Sequence, residues 1–204
     1  MIKEIRIYVE GGGDKKDTKS QFRNGMGEFL KELREAARHH QISWNLIACG
    51  SRNSTFEDFC NALVSHPEAF NVLLVDAEGS VQAPQPTVHL EKQDGWDMEN
   101  IVDEQCYLMV EMMENWFLAD ANTLADFYKQ GFNRNALPSR LNVEENSKDS
   151  VDRALRDATQ NTLKGRYHKI KHGAALLGKI RPDLVRQRAP NCERAPRLIQ
   201  FFNS

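Results

Sequence analysis

Apolar and polar side chains alternate over residues 5–9, with Ile5, Ile7 and Val9 set against Arg6 and Tyr8, the period of a β-strand. Gly11, Gly12 and Gly13 interrupt the pattern, since glycine takes positive φ at little cost. The spacing then changes. Over residues 20–39, Phe22, Met26, Phe29, Leu30, Leu33 and Ala37 recur at the interval of a helix with one apolar stripe. Residues 44–48 predict a second strand that runs into Cys49-Gly50-Ser51-Arg52. Ser54 and Glu57 form a capping-box pattern, opening a helix that carries Phe56, Phe59, Leu63 and Val64, with Pro67 near its end.

Residues 72–75 are an unbroken run of valine and leucine, as expected of a central strand covered on both faces. The order β-α-β-α-β predicts a parallel sheet with right-handed crossovers and helices on both sides. Two prolines make residues 81–86 a loop. Residues 106–112 predict a fourth strand, and 115–118 and 124–128 helices beyond it. Residues 131–148 are polar and turn-rich, where a domain boundary or mobile loop is expected. Helical patterns then cover 151–159, 167–179, 182–188 and 192–202. The expected organisation is an α/β three-layer domain over residues 1–130, with a mainly parallel sheet, and a helical, basic region over 131–204 packed on it.

Composition narrows the class. Forty per cent apolar and 27% charged residues are ordinary for a folded soluble chain. No apolar run approaches the roughly 18 to 20 residues of a membrane helix, and the first residues enter a strand pattern without a signal-peptide signature. A cytoplasmic protein with no membrane partner is expected. The four cysteines are widely spaced with no C-x-x-C pair, which argues against a zinc knuckle or a disulfide framework. The net charge of -2 hides an asymmetry. Residues 91–114 hold eight acids and one base, whereas residues 164–197 hold ten bases and two acids. Such a pairing suits an intramolecular contact, or a cation site beside a phosphate-binding arm.

Two acidic clusters fall where strands are predicted to end: Glu10, followed by the glycines and Asp14, and Asp76 with Glu78. Strand ends of a parallel sheet share one crevice, so these clusters can converge, and hard oxygen donors in small number suit Mg²⁺ or Mn²⁺. Side chains two apart on a strand point the same way, so Asp76 and Glu78 can address one ion if the strand reaches Glu78. Glu111 and Glu114 could extend the crevice or hold a second metal, and Glu114 equally suits a helix start. Gly11 and Gly12 let backbone amides approach a phosphate. Neither a Walker loop nor a dinucleotide fingerprint is present. A receiver domain would need strand-end partners that do not stand out. Arg52, at a strand end before a capped helix, offers a planar fork for a phosphate. Lys164, Arg166, Lys169 and Lys171, interleaved with His168 and His172, form a segment of the kind that follows a nucleic-acid backbone. The two histidines lack the order of a metalloprotease helix, and Trp116 with Phe117 and Leu118 suits the core.

A strand-end Glu-Gly followed by a strand-end Asp-x-Glu resembles the Toprim fold of topoisomerases, primases and overcoming-lysogenization-defect nucleases. The usual second motif is Asp-x-Asp, so Glu78 departs from it while keeping the charge. Five segments resemble, more closely, a bacterial family of Toprim-like proteins, domain of unknown function four-two-seven-six. They are Tyr8-Val9-Glu10-Gly11, Cys49-Gly50-Ser51-Arg52, Val75-Asp76-Ala77-Glu78, Glu114-Asn115-Trp116-Phe117-Leu118-Ala119-Asp120 with the preceding Met113, and Lys171-His172-Gly173. Together they span nearly the whole chain. The resemblance implies a Mg²⁺-dependent nuclease cutting DNA or RNA, encoded beside an ATPase of the ABC/SMC type in a phage-defence locus.

On this reading Glu10 is a metal ligand or general base, and Asp76, Glu78 and Glu114 are ligands. Gly11, Gly12, Arg52, Lys164, Lys169 and His172 hold phosphates, and Lys171 steadies transition-state charge. Two rivals remain: a Toprim-derived subunit that docks on the ATPase without cleaving, and an enzyme transferring phosphoryl groups on a nucleotide. A homo-oligomer is left open.

Overall fold

The structure, a computed structural model, describes residues 2–192. Strands β1 (Glu4–Glu10), β2 (Ser43–Gly50), β3 (Phe70–Asp76) and β4 (Cys106–Met109) form one sheet in the order β2-β1-β3-β4, with every pairing parallel. The expected α/β class holds, and the layering is consistent with a Toprim-like three-layer fold. Period-two alternation divides each strand between two cores. Ile5, Ile7 and Val9 of β1, Val72 and Leu74 of β3, and Tyr107 and Met109 of β4 enter the larger one. Tyr8, Leu73, Val75, Cys106 and Leu108 enter the smaller one.

Helices α1 (Lys16–Phe29) and α2 (Lys31–His39) cover the larger core with Phe22, Met26, Phe29, Leu33 and Ala37. Helix α3 (Arg52–Ser65) and helix α4 (Pro86–Asp94) cover the smaller core through Phe59, Ala62 and Leu90. Fully burying a side chain such as Leu73 or Phe59 contributes about 1.5–3 kcal/mol, so both faces favour this layering. The larger core continues into the second half of the chain. Trp116 and Phe117 of α5 (Glu114–Phe117), Leu124 and Tyr128 of α6 (Ala121–Tyr128) and Leu155 of α7 (Lys148–Thr159) join it. So do Leu176 and Leu177 of α8 (Ala174–Leu177) and Val185 of α9 (Pro182–Arg188).

Several boundaries differ from the sequence reading. The helix expected over 20–39 begins at Lys16 and bends at Leu30 (φ -90, ψ 15). Its hydrogen bonds pass through the bend, from Leu30 N–H to Met26 O and Arg34 N–H to Leu30 O, and its apolar stripe continues, so periodicity does not mark the break. Strand β4 stops at Met109, although Val110 and Met112 stay buried and prolong the apolar pattern. Residues 131–148 carry two short 3-10 turns, and Asn115 Nδ2 donates to Val143 O (2.9 Å) and Asn146 O (2.8 Å), tying this segment to α5. Tyr167 and His168 are not helical. A π-helical turn, Lys169–Gly173, leads from them into α8. Of the helix expected over 192–202, residues 193–202 lie outside the described residues.

One contact fixes where that turn sits. Helix α1 packs on α8 so closely that a Cβ at Gly25 would lie 2.1 Å from Ala174 O. Only glycine permits this approach, and it brings the π-helical turn to the carboxyl ends of β1 and β3. Among the described residues, no helix is long and apolar enough to cross a membrane.

Candidate metal centre

The chain leaves β1 for β2 on one side and returns to β3 on the other, so a crevice opens between the carboxyl ends of β1 and β3. Glu10 and Asp76 are the last residues of these strands. Glu10 Oε2 accepts the Asp76 N–H at 3.2 Å. Carboxylate oxygens of Glu10, Asp76 and Glu78 lie within 4.8 Å of one another, a group that could hold a metal ion. Glu78 reaches the group by a route the strand pattern does not describe. The strand ends at Asp76, and Glu78 takes a left-handed conformation (φ 60), held by its N–H to Glu111 O at 2.8 Å. His89 Nε2 lies 2.8 Å from Ala77 O and fixes the intervening residue.

Three cations serve these carboxylates. Arg52 donates Nε and Nη2 to the two oxygens of Asp94, each at 2.7 Å, and Nη1 to Glu10 Oε2 at 3.1 Å and to Asp76 O. Its guanidinium also lies over the Trp96 ring, 5.0 Å from the centroid. Lys169 Nζ sits between Asp76 Oδ2 (3.3 Å) and Glu114 Oε2 (3.4 Å). Lys148 Nζ pairs with Glu78 at the solvent side. Asp76 Oδ1 accepts the Met113 N–H at 2.8 Å, and Glu114 Oε1 accepts the Tyr167 hydroxyl at 2.8 Å.

Burial dominates the electrostatics. It pushes the Glu10 carboxyl up to about 7, with Asp76 adding to the rise and Arg52 opposing it. Burial also raises the Glu114 carboxyl, against the pull of Lys169. For Lys169, burial disfavours the ammonium, but Asp76, Glu114 and Glu10 together outweigh it and raise its pKa. The lysine side chain is half exposed (49%), while the carboxylates it joins are nearly dry at 3% and 2%. Glu114 Oε2 is buried without a hydrogen bond. Hard oxygen donors and crowded negative charge at Glu10, Asp76 and Glu78 suit a hard metal cation.

The other expected residues are distributed unevenly. Glu111 does not join the cluster: its Oε2 accepts the Lys148 N–H at 2.8 Å, so it serves the start of α7, where negative charge is favoured. The Gly11 N–H donates to Gly50 O at 2.9 Å, and Gly11 and Gly12 both line a cleft with Lys169. The Arg52 fork is spent on Asp94, Glu10 and Asp76 O, so it holds carboxylates where a phosphate was expected. Lys171, expected at the centre, is exposed on a groove of about 560 Å³, and Lys169 occupies the inner place. Arg156, Lys164, Arg166 and His168 line the same groove. Lys164 also lies over Phe127, 4.8 Å from the ring centroid. The His172 ring faces inward, its Nδ1 taking the His168 N–H at 3.2 Å and lying 3.0 Å from the Tyr128 hydroxyl.

Sequence reasoning missed Asp94, Lys148 and Tyr167. Asp94 precedes Gly95 at the end of α4, and no local pattern links it to Arg52, 42 residues away. Tyr167 and Lys148 carry no motif of their own. The family described as Domain of unknown function (DUF4276) matches residues 9–195. No curated protein and no solved structure matches the chain.

Proposed function

The chain belongs to that family, and we propose that it is a Mg²⁺- or Mn²⁺-dependent nuclease of Toprim-like type, hydrolysing phosphodiester bonds of DNA or RNA. The convergence of Glu10, Asp76 and Glu78 at the β1/β3 crevice is the observation that supports this reading. These three side chains, with Glu114 behind them, would hold the cation. When bound, the ion polarises a phosphoryl oxygen and supplies a nucleophile at neutral pH.

Glu10, raised to about 7 before any cation binds, would serve as a ligand or, if left free of the ion, as the base that takes a proton from the attacking water. Lys169 directs its ammonium at charge developing on the phosphate, in the role expected of Lys171. Tyr167 and Glu114 position Lys169, and Arg52, braced by Asp94, positions Glu10. Lys164, Arg166 and Lys171 in the adjoining groove hold the backbone. We place the activity in a cytoplasmic phage-defence system with an ABC/SMC-type ATPase partner.

The test is cleavage of DNA and RNA by the purified chain with Mg²⁺ or Mn²⁺, alone and with the ATPase, beside Glu10→Gln and Asp76→Asn. Both substitutions should abolish cutting. Cleavage that survives both, or that never arises with any partner, sinks the proposal. One observation favours a second reading, a regulatory subunit that docks on the ATPase without cleaving. Arg52, Lys148 and Lys169 already give each carboxylate of the cluster an ion-pair partner. That reading predicts stable co-purification with the ATPase and no metal-dependent loss of substrate.

A further inference from the structure

Lys169 lines two cavities, the basic groove and a smaller cleft of about 210 Å³ on the other side. The cleft is walled by Gly12, Gly13, Phe22, Met113, Ile170 and Ala174, with Glu10 and Lys169 at its polar end. Its walls are chiefly apolar, so it does not suit a phosphate. Its volume falls below the ~300–1,000 Å³ of pockets that take drug-sized molecules, which limits it to a fragment. Ile170 is the telling residue: a large apolar side chain, 42% exposed, placed between two lysines in the most basic segment of the chain. A Cβ at Gly13 would stand 3.5 Å from Ile170 Cδ1, so the absence of a side chain at Gly13 keeps the space beside Ile170 open.

We propose that this cleft receives the base or sugar of the one nucleoside adjoining the scissile phosphate, with that phosphate at Lys169 and the rest of the strand in the basic groove. The inference rests on the nuclease reading and adds a subsite to it. A phosphate held by Lys169 has the carboxylate cluster on its flank and lies where an apolar recess meets the basic groove. A phosphodiester flanked by a heterocycle with apolar faces and by a polyanionic strand matches that order. A free phosphate would use only the middle of it.

The experiment is calorimetric titration of the full chain in Mn²⁺ with adenosine 5′-monophosphate and, separately, inorganic phosphate. The nucleotide is expected to bind about tenfold tighter, the equivalent of ~1.4 kcal/mol from apolar burial. Ile170→Trp fills the cleft and should bring the two affinities within about twofold. Ile170→Ala removes contact without steric load and should reduce the advantage to about threefold. Thermal unfolding of each variant checks folding. The proposal is overturned if the nucleotide binds no better than phosphate, or if its advantage survives both substitutions. Mn²⁺ titration of the same samples separates the two readings. Retained Mn²⁺ binding without a nucleoside advantage removes the cleft alone, whereas absent Mn²⁺ binding removes the metal centre itself.

Discussion

Arg52 and Lys169 hold carboxylates of the same cluster by different means. Arg52 is 15% exposed at its side chain, its fork is filled by Asp94, Glu10 and a backbone carbonyl, and an indole lies beneath it. Lys169 presents one ammonium to two dry carboxylates, with its side chain half exposed and lining two cavities. A planar fork with its donors used is a brace, while a compact ammonium beside open space can exchange partners. The difference separates what builds the site from what would meet a ligand.

Removing the brace should have the largest effect. Arg52→Met leaves Glu10 and Asp94 without their cation and is expected to cost about 3–5 kcal/mol, read from urea unfolding. If stability is unchanged, Arg52 is not structural. Lys169→Met should lose less stability, because Asp76 keeps the Met113 N–H and Glu114 keeps the Tyr167 hydroxyl. Its expected signature is a ~10²–10³-fold drop in turnover at near-normal metal affinity. Equal losses of stability in both variants would erase the comparison. Tyr167→Phe removes the hydroxyl donor to Glu114 and should cost about 1.5–3 kcal/mol, with a smaller fall in turnover than Lys169→Met.

The smallest effect concerns pH. Burial lowers the pKa of His172, and His168, Lys164 and Lys171 lower it further. Its Nδ1 accepts the His168 N–H, which suits the neutral ring. The unfolded chain therefore takes up a proton first as pH falls through about 6.5, so native stability drops below that pH. Urea midpoints at pH 7.5 and 5.5 should differ less in His172→Gln than in the wild type.

The sheet and its acidic ends were legible because both depend on local pattern. Alternation marked β1, an aliphatic run marked β3, and Glu10, Asp76 and Glu78 stood directly after them. The sequence favours Lys171 as the lysine reaching the centre and Lys169 as a phosphate contact, whereas in the structure Lys169 meets the carboxylates, for a geometric reason. A continuous helix over 167–179 is expected, but Tyr167 and His168 lie outside it and the first turn is π-helical, so Lys169 opens the turn and its ammonium reaches Asp76 and Glu114. The spent fork of Arg52 is illegible in the sequence, since Asp94 and Trp96 reach it only in the folded chain, where α4 packs on β4 and Trp96 stacks on Phe56 of α3. Glu78 arrived by a turn where continued strand had been anticipated.

The order of these parts along the chain also sets a timetable. The three clustered carboxylates are encoded by position 78, whereas the ammonium that would complete the centre comes at position 169. At ~5–20 residues per second, ribosomal synthesis separates them by roughly 5–20 s. Tyr167 and the α8 partner of Gly25 emerge in the same late stretch. A nascent chain thus carries its acidic residues without Lys169 while residues 79–168 are being made, and the complete constellation forms only after them.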